Sequence, residues 1–463
     1  MARRPKPTGR RILLVEPGYR NKYPPLGLMK IAAYHRVLGD EAHFVKGMDR
    51  GVRDQAWDRI YITTLFSFDW DLTVKTIRFY KHPEQGAIGA NTKLYVGGIA
   101  ATILKDEFHR ETGIEPVTGC LNAPGALDDD SDLIVDRMVP DYSILGDTEY
   151  EYPCSDAYIG HATRGCSNKC PFCAVPKLEP AFVDYVDIKP WVQGVRDKHG
   201  EKQHLLLLDN NVLASPRLAD IVADIKAVGF TVGAKLGGRS RYVDFNQGLD
   251  ARLLTKQKMD LLAEIPVNPF RLAYDSTAIR ATYEKAVRLV AAAGIRNIST
   301  YVLYNYKDSP QDFWDRLRHN VELSAELNVR ISSFPMKYIP VTRKDRKHVG
   351  PHWNARFLRS IQCITLVTGG AVSARRDFFL AAFGKDHAEF REILSMPEPY
   401  IIHRKQFSRN GAATWRRQFR ALDDSQRDEV LQEVSGRTRR EIRQRRATLG
   451  TGQVQRILQH YTQ

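Results

Sequence analysis

The N-terminal part of the chain alternates between short apolar runs and amphipathic stretches. The apolar runs, which have the length and composition of buried strands, are Arg11–Glu16 and residues 42–45, 60–66 and 94–96. The amphipathic stretches, which have helical spacing, are residues 26–35, 70–80 and 100–108. Because strands that alternate with helices form a parallel sheet covered on both faces, this pattern predicts an α/β domain over residues 11–150.

A second series of alternating runs begins near Tyr158. Its predicted strands are residues 158–162, 204–208, 242–245, 270–274, 298–303 and 330–335. Its predicted helices are residues 190–199, 215–228, 255–264, 278–293 and 309–327. Six strands, each followed by or facing a helix, predict a partial (β/α)6 barrel over residues 151–345 rather than a closed eight-fold one. In such folds the chemistry lies on loops at the carboxyl ends of the strands, where the polar residues of this region concentrate.

The pattern changes again near Pro351, where strand-like runs fade. Residues 346–463 have mainly helical, Arg-rich patterns, and residues 1–10 form a predicted basic tail. The chain of 463 residues carries a net charge of +15. Between residues 403 and 463, fourteen Lys or Arg face six Asp or Glu, so this stretch holds eight of those charges. A basic excess of this kind indicates an anionic partner and says nothing about the fold.

Composition narrows the class of protein. With 43% hydrophobic and 27% charged residues, the chain is typical of a globular protein, which excludes a disordered or fibrous one. No run of eighteen apolar residues occurs, so no membrane span is expected. The apolar run after the basic N-terminus is too short for a signal-peptide core, so a cytoplasmic location is expected.

Cysteines supply the main chemical signal. Three of the six, Cys166, Cys170 and Cys173, fall within eight residues, and in a reducing compartment such a cluster indicates metal binding or catalysis. Iron–sulfur cubanes are normally held by four thiolates, so three would leave one iron open to a small chelating molecule. The alternative is a structural zinc site completed by Cys154 or His161, although no second two-ligand knuckle follows. Cys120 and Cys363 are predicted to be ordinary buried thiols.

The spacing Cys-x3-Cys-x2-Cys, placed after the first strand of a βα series, resembles the radical S-adenosylmethionine (SAM) superfamily. This resemblance implies a [4Fe–4S] cluster on Cys166, Cys170 and Cys173, with SAM chelating the open iron. It also implies that an electron from an external donor of flavodoxin or ferredoxin type cleaves SAM and starts radical chemistry on a substrate. Phe172, the aromatic residue before the last cysteine, is implied to contact the cofactor.

The resemblance also implies SAM contacts at the ends of the second and third barrel strands. Asp209 and Asn210 occupy the position that contacts the SAM amino group in that superfamily, although the usual Gly-Gly-Glu stretch is absent. The alternative role for these two residues is to cap the next helix. Gln247, Asp250 and Arg252 follow the third strand, where Asp250 and Arg252 would bind a ribose or a carboxylate. The alternative is a simple Asp250–Arg252 surface pair.

Polar groups also end the fourth and fifth predicted strands. Asp275 follows Tyr274, and Asn305 lies between Tyr304 and Tyr306. Two tyrosines that flank an amide suit adenine stacking and hydrogen bonding, with rim packing as the alternative. Asp275 and Asn305 are therefore predicted to be further SAM contacts.

Residues 11–345 are similar, in the order of their motifs, to one uncharacterised radical SAM group that has an N-terminal Rossmann-like, cobalamin-binding-like domain. Gly97-Gly98 resembles the turn of that domain that faces the cofactor. The Asp-x-His-x-x-Gly loop that supplies the cobalt-ligating His is missing, and Glu16-Pro17-Gly18-Tyr19 stands in its place. Without that His, cobalamin would bind only with its cobalt unligated by the protein, so it is a less favoured cofactor than SAM. The alternative is a retained α/β module that supports the barrel or frames the substrate.

The basic C-terminal region suggests a further partner. Its arginine cluster, predicted to lie on one helix with Glu441, consists of Arg437, Arg439, Arg440, Arg443, Arg445 and Arg446. Such a cluster would neutralise the phosphates of a nucleic acid, and Trp415 would stack on a base. The alternatives are a solvated helix face and a core tryptophan, or a small phosphorylated or acidic substrate.

Taken together, the sequence predicts a radical SAM enzyme of unknown substrate, with a nucleotide or nucleic acid among the candidates. A cobalamin-dependent radical SAM methyltransferase and a non-catalytic, zinc-stabilised nucleic-acid-binding protein are the alternatives.

Overall fold

The computed structural model describes residues 9–81, 92–366, 368–408, 411–449 and 452–462. The predicted basic tail therefore lies outside the described residues, apart from Gly9 and Arg10. The chain divides into two compact units. Unit 1 comprises Met1–Asn268 and Pro340–Arg346, and unit 2 comprises Pro269–Ile339 and Lys347–Gln463. The boundary at residue 268 falls inside the stretch predicted as one partial barrel. The predicted domain limits and the predicted partial barrel stay predictions.

Unit 1 begins with a four-stranded parallel sheet of order β2-β1-β3-β4. Its strands are β1 (Arg11–Glu16), β2 (Glu41–Lys46), β3 (Arg59–Thr64) and β4 (Lys93–Gly98). Its helices are α1 (Leu26–Val37), α2 (Arg50–Arg53), α3 (Trp70–Lys81), α4 (Ile99–Ile103) and α5 (Lys105–Thr112). The predicted α/β character of this region is confirmed. The predicted helix 100–108 is in fact two helices, because Leu104 leaves the helical conformation between α4 and α5.

Alternate residues of these strands face opposite sides of the sheet. One face packs against α3, α4 and α5 through apolar side chains such as Leu13, Ile60 and Val96. The other face carries Tyr61 and lies towards α1, where His35 hydrogen-bonds the Tyr61 hydroxyl at 3.0 Å. A sheet covered on both faces explains why its strands have continuous apolar runs rather than an alternating pattern.

Unit 1 continues with a three-stranded parallel sheet of order β5-β6-β9. The strands are β5 (Ala157–Gly160), β6 (His204–Leu207) and β9 (Val243–Phe245), and a short hairpin is formed by β7 (Lys235–Leu236) and β8 (Arg239–Ser240). The helices are α6 (Val175–Leu178), α7 (Lys189–His199), α8 (Leu218–Ala227) and α9 (Lys256–Leu262). The sequence did not predict the hairpin, because strands of two residues carry no periodicity that could reveal them.

Unit 2 contains a three-stranded parallel sheet of order β10-β11-β12 and a set of helices. The strands are β10 (Phe270–Ala273), β11 (Asn297–Tyr304) and β12 (Arg330–Lys337). The helices next to the sheet in the chain are α10 (Arg280–Ala292) and α11 (Pro310–Leu327). Pro310 lies in the first turn of α11, and Ser309 caps it with Asp312 in a capping box.

The C-terminal part of unit 2 is helical, as predicted. Its helices are α12 (Ala355–Leu366), α13 (Arg376–Phe383), α14 (His387–Ser395), α15 (Glu398–Ile402), α16 (Arg404–Phe407), α17 (Gly411–Arg420), α18 (Asp424–Val434), α19 (Arg439–Thr448) and α20 (Gln453–Leu458). One apolar cluster joins residues of α11 to residues of these helices, including Trp314, Phe383 and Trp415. Among the described residues, every helix is too short or too polar to cross a membrane.

The turn from β4 into α4 depends on one glycine, and this dependence is testable. Gly98 has φ +106°, and a Cβ there would lie 2.5 Å from the Thr64 carbonyl oxygen. We expect Gly98→Ala to lower the free energy of unfolding by about 1–3 kcal/mol in chemical denaturation. The control is Gly97→Ala, whose Cβ would meet its nearest atom at 3.4 Å, an ordinary contact. Equal losses in both variants would contradict this account.

Candidate functional site

The cysteine motif lies in a loop that leaves the carboxyl end of β5. The loop is closed at its base by an antiparallel bridge, in which Arg164 and Val183 exchange two backbone hydrogen bonds of 2.9 Å. Cys166, Cys170 and Cys173 all fall between these two residues, and we call residues 164–183 the cysteine loop. Within it, the backbone N–H of Cys173 donates to the Cys170 carbonyl at 3.0 Å, so the last two cysteines lie on one turn.

A buried carboxylate holds the start of this loop. Asp209, which follows β6, is 1% exposed. Its Oδ1 accepts hydrogen bonds from the Ala162 N–H at 3.0 Å, the Thr163 hydroxyl at 2.7 Å and the Thr163 N–H. Burial raises the pKa of Asp209 to about 6, and these hydrogen bonds oppose the rise. The backbone donors beyond the end of β5 are therefore satisfied by a side chain from the neighbouring strand.

A second carboxylate holds the next turn of the loop. Glu179 accepts the Gly165 N–H at 2.6 Å and the Asn210 side-chain amide at 3.2 Å, and it pairs with the Arg164 guanidinium. Gly165 has φ +69°, and a Cβ there would lie 2.3 Å from the Ala181 carbonyl oxygen. Glycine is thus required directly before Cys166, because no other residue fits both the conformation and the space.

Hydrogen-bond donors point at the cysteine sulfurs. The Asn168 N–H lies 3.3 Å from Cys166 Sγ, and the Asn211 side-chain amide lies 3.5 Å from the same sulfur. Arg252 hydrogen-bonds Cys170. Donors of this kind stabilise negative charge on sulfur, and hydrogen bonds to the sulfurs are one means by which proteins tune iron–sulfur clusters.

Asp250 organises part of this arrangement. It pairs with Arg252 through two hydrogen bonds of 2.8 Å and accepts the Asn168 side-chain amide at 2.9 Å. The Asp250 carboxylate holds the pKa of Arg252 well above its usual value. Burial would raise the pKa of Asp250 itself, but hydrogen bonds from Arg252 and Asn168 outweigh this effect and lower it. The predicted Asp250–Arg252 pair therefore exists, but it is joined to the cysteine loop rather than isolated on the surface.

The structure brings several predicted site residues together in unit 1. Asp209, Asn210, Asp250 and Arg252 each contact the cysteine loop or the residues that lead into it. Gln247 is exposed and donates to the Asn246 side chain at 3.2 Å, while Phe172 is half-buried. The capping role considered for Asp209 is wrong, because α8 has no side-chain cap and the Asp209 oxygens are used elsewhere. Direct contacts of these residues with SAM stay predictions.

The two remaining predicted site residues belong to unit 2. Asn305 is fully buried, donates to the Tyr338 and His348 carbonyls and accepts the Gly350 N–H at 2.7 Å. It also has φ +69°, so its side chain stabilises an unusual turn after β11. Tyr304 is 3% exposed and packs in the core of unit 2. Asp275 is half-buried and lies near Arg316, whose charge it influences. Contacts of Asp275 and Asn305 with SAM stay predictions.

Sequence reasoning missed several residues around the cysteine loop. Glu179 is 13 residues beyond Cys166 and has no motif that marks it. Lys30 and Asp136, which form a 3.0 Å ion pair, come from distant parts of unit 1 and reach Arg164 through Asp136. Asn211 was detectable, because it directly follows the predicted Asp209-Asn210 pair. Cys120 was predicted to be an ordinary buried thiol, but it is half-buried and lies 3.1 Å from the Arg164 guanidinium.

In the described parts of the chain, no three His, Cys, Asp or Glu side chains are grouped closely enough to hold a single metal ion. A single zinc ion needs all its ligand atoms within about 2.3 Å. The thiolates of a cubane cluster instead bind different irons, so this finding concerns mononuclear sites.

The arginine cluster of the C-terminal region is only partly available for phosphates. Arg437 and Arg445 pair with Glu433 at 2.9 and 2.8 Å, whereas Arg439 and Arg440 are exposed. The predicted stacking of Trp415 on a base is wrong, because Trp415 is 0% exposed. It stacks on Phe419 within the core of unit 2 instead. Nucleic-acid binding by this region stays a prediction.

The role of Asp209 as the anchor of the loop is testable. Asp209→Ala would leave the N–H groups of Ala162 and Thr163 buried without acceptors, so we expect it to lower the free energy of unfolding by about 2–4 kcal/mol. Asp209→Asn keeps an oxygen at the position that accepts these donors, and we expect a loss below about 1 kcal/mol. Chemical denaturation of both variants provides the measurement. A loss in the Asn variant as large as in the Ala variant would mean that the charge, rather than the oxygen, holds the loop.

Comparison with known proteins gives structural neighbours only. No protein-family model matches the chain, and no curated protein matches its sequence. One similar solved structure is the radical SAM methyltransferase TsrM from Kitasatospora setae, with a tryptophan substrate and a SAM analogue bound. It is 12% identical and has a TM-score of 0.49, and the match covers 77% of each chain.

Two further similar structures are of SuiB from Streptococcus suis. SuiB bound to the precursor peptide SuiA is 14% identical with a TM-score of 0.32, and the match covers 46% of each chain. SuiB bound to SAM is 13% identical with a TM-score of 0.30, and the match covers 46% of this chain and 44% of that one. At these identities and scores, the chemistry of the site has to be judged from the residues of this chain.

Proposed function

We propose that Cys166, Cys170 and Cys173 hold a [4Fe–4S] cluster whose fourth iron binds SAM, and that the protein cleaves SAM reductively to begin radical chemistry on a substrate. One observation carries this proposal. The three cysteines lie in a loop at the carboxyl end of a parallel strand, where two carboxylates hold the backbone and amide donors point at Cys166 Sγ. Thiolates are the ligands that iron–sulfur clusters prefer, so this donor set suits the cluster.

The residues of the chain have separable tasks in this proposal. When bound, the cluster supplies the electron that splits SAM into methionine and a 5′-deoxyadenosyl fragment. Asp209 and Glu179 hold the loop that bears the three thiolates. Asn168 and Asn211 stabilise the charge on Cys166 by donating hydrogen bonds to its sulfur. Arg252 does the same beside Cys170. A flavodoxin-type or ferredoxin-type donor would supply the electron.

Cobalamin ligated by a His of the chain does not fit the residues present. The position after β1 that would supply the His is occupied by Glu16 to Tyr19. Glu16 is 2% exposed and pairs with Lys46, and the Tyr19 hydroxyl contacts Thr73 Oγ1 at 2.6 Å. The close packing of Gly98 against Thr64 requires a glycine at this position, so Gly98 does not by itself indicate a turn that faces cobalamin. We therefore propose no step that uses cobalamin.

The proposed function predicts the behaviour of single cysteine variants. After anaerobic reconstitution, the protein should contain iron and sulfide and should form 5′-deoxyadenosine from SAM with dithionite. We expect Cys166→Ala to lose most of the iron and all detectable 5′-deoxyadenosine, because a cubane with two protein thiolates is poorly held. The matched control is Cys154→Ala in the same unit, which should keep both.

Two outcomes would contradict this proposal. One is a colourless protein that contains zinc and depends on Cys154, which would favour the zinc site. The other is a cluster-loaded protein that forms neither 5′-deoxyadenosine nor another product of SAM cleavage.

The contact between Arg252 and Cys170 predicts an effect on redox potential. A positive charge beside a ligand stabilises the reduced, more negative cluster. We expect Arg252→Gln to lower the midpoint potential by about 20–60 mV, because the Arg252 side chain is 49% exposed and its charge is partly screened. Redox titration followed by electron paramagnetic resonance provides the measurement. Arg239→Gln is the control, because this exposed arginine of the same unit pairs with Asp156 instead. A potential that is unchanged or raised would show that Arg252 does not act on the cluster.

A further inference from the structure

Unit 1 contains a cavity of about 200 Å³ between α1 and the face of the first sheet that carries Tyr61. We call it the N-terminal cavity. Its aliphatic lining includes Leu28, Ile31, Val117, Leu121, Leu127 and Val135. A largely apolar space of this size holds a molecule of about one or two aromatic rings.

An aromatic pair forms part of the wall of the cavity. Tyr61 and Tyr95 stack with ring centroids 4.9 Å apart and an angle of 11° between their planes. The Tyr61 hydroxyl is already engaged by His35 and Arg59, so the residue offers its ring rather than a free hydroxyl. Aromatic walls favour aromatic ligands, which stack or pack edge to face against them.

The charged groups at one end of the cavity neutralise one another. Asp136 pairs with Lys30 at 3.0 Å and with Arg164 at 3.0 Å, and Arg164 also pairs with Glu179. Burial lowers the pKa of Lys30, and Asp136 opposes this effect. A charged ligand would lose its water without finding an unpaired counter-ion, which is unfavourable. A neutral ligand with one hydroxyl or N–H group would suit this end of the cavity.

One residue joins the cavity to the cysteine loop. The Arg164 side chain lines the cavity, while its backbone forms the bridge that closes the loop two residues before Cys166. Cys120 also lines the cavity and lies 3.1 Å from the same guanidinium. A molecule in the cavity would therefore contact the segment that carries the proposed cluster ligands.

We infer that the N-terminal cavity is the substrate site, and that the substrate is a small, neutral, largely aromatic molecule. The substrate assignment rests on the proposed function, whereas the binding of such a molecule does not. This class of substrate leaves out the nucleotide or nucleic acid considered from the sequence, because a phosphate would bring uncompensated charge into the cavity.

Binding is tested on the full-length, anaerobically reconstituted protein with 2-naphthol, a neutral fluorescent bicyclic molecule. We expect saturable binding of 2-naphthol, and binding of the anionic analogue 2-naphthoate at least tenfold weaker. Absence of saturable 2-naphthol binding would overturn the inference. So would tighter binding of 2-naphthoate, or stoichiometric retention of hydroxocobalamin by the same unit.

A cavity-filling variant shows where the probe binds. Val117→Trp places a large side chain in the wall of the cavity, and we expect it to weaken 2-naphthol binding at least tenfold. The matched control is Val232→Trp, at a valine that is 65% exposed and outside the cavity, which should leave binding unchanged. Equal binding by wild type and Val117→Trp would place the probe elsewhere and overturn the inference.

A second readout needs no substitution and therefore does not depend on the folding of the variant. Saturating 2-naphthol should slow the alkylation of Cys120 by iodoacetamide at least fivefold, as followed by mass spectrometry of the Cys120 peptide. Cys154, which does not line the cavity, is the internal reference and should react at an unchanged rate. Equal protection of both cysteines, or of neither, would contradict binding in the cavity.

The same samples separate this inference from the proposed function. Formation of 5′-deoxyadenosine without 2-naphthol binding would overturn the cavity as a substrate site and leave the proposed function standing. Binding of 2-naphthol by a cluster-loaded protein that does not cleave SAM would overturn the proposed function and the substrate assignment. We expect both saturable 2-naphthol binding and formation of 5′-deoxyadenosine by the wild-type protein.

Discussion

The candidate site depends on a carboxylate that is almost completely removed from water. Asp209 follows β6 and accepts hydrogen bonds from the N–H groups of Ala162 and Thr163, which lie just beyond the end of the neighbouring strand β5. Burial alone would favour its neutral form, which is why its pKa rises to about 6. Three donors on one oxygen make its burial tolerable and determine where the chain turns towards Cys166.

From that anchor, the cysteine loop is built by side chains that satisfy backbone groups. Beyond the end of a strand, buried N–H groups have no ladder to pair them, so carboxylates and amides must do so. Glu179 performs this task for Gly165, and Asp250 connects the loop to Arg252. The Arg164–Asp136–Lys30 network extends the same chain of contacts to the N-terminal cavity. The cysteine loop is thus held on one side by the second sheet of unit 1. On its other side it is linked to the N-terminal cavity, which lies against the first sheet of unit 1.

Unit 2 shows that polar residues after a parallel strand need not bind a ligand. Arg316 is fully buried and donates to the Tyr274 and Leu303 carbonyls, which end β10 and β11, and to Asp308. Asn305 has all its side-chain polar atoms engaged by backbone groups. The carboxyl ends of strands leave backbone groups to satisfy in any protein, and buried polar side chains there can be required by the fold alone.

The sequence by itself determined the order and type of the main elements and the identity of the three cysteines. Apolar runs and helical spacing are local properties, so β1, β10 and α11 begin within two residues of their predicted positions. Only the tertiary structure decided which groups surround the cysteines. Glu179, Lys30 and Asp136 carry no local motif, because their roles arise from contacts between segments far apart in the chain. The sequence left open whether Trp415 lies in the core or stacks on a base, since a tryptophan beside arginines has the same sequence whether it faces solvent or the core.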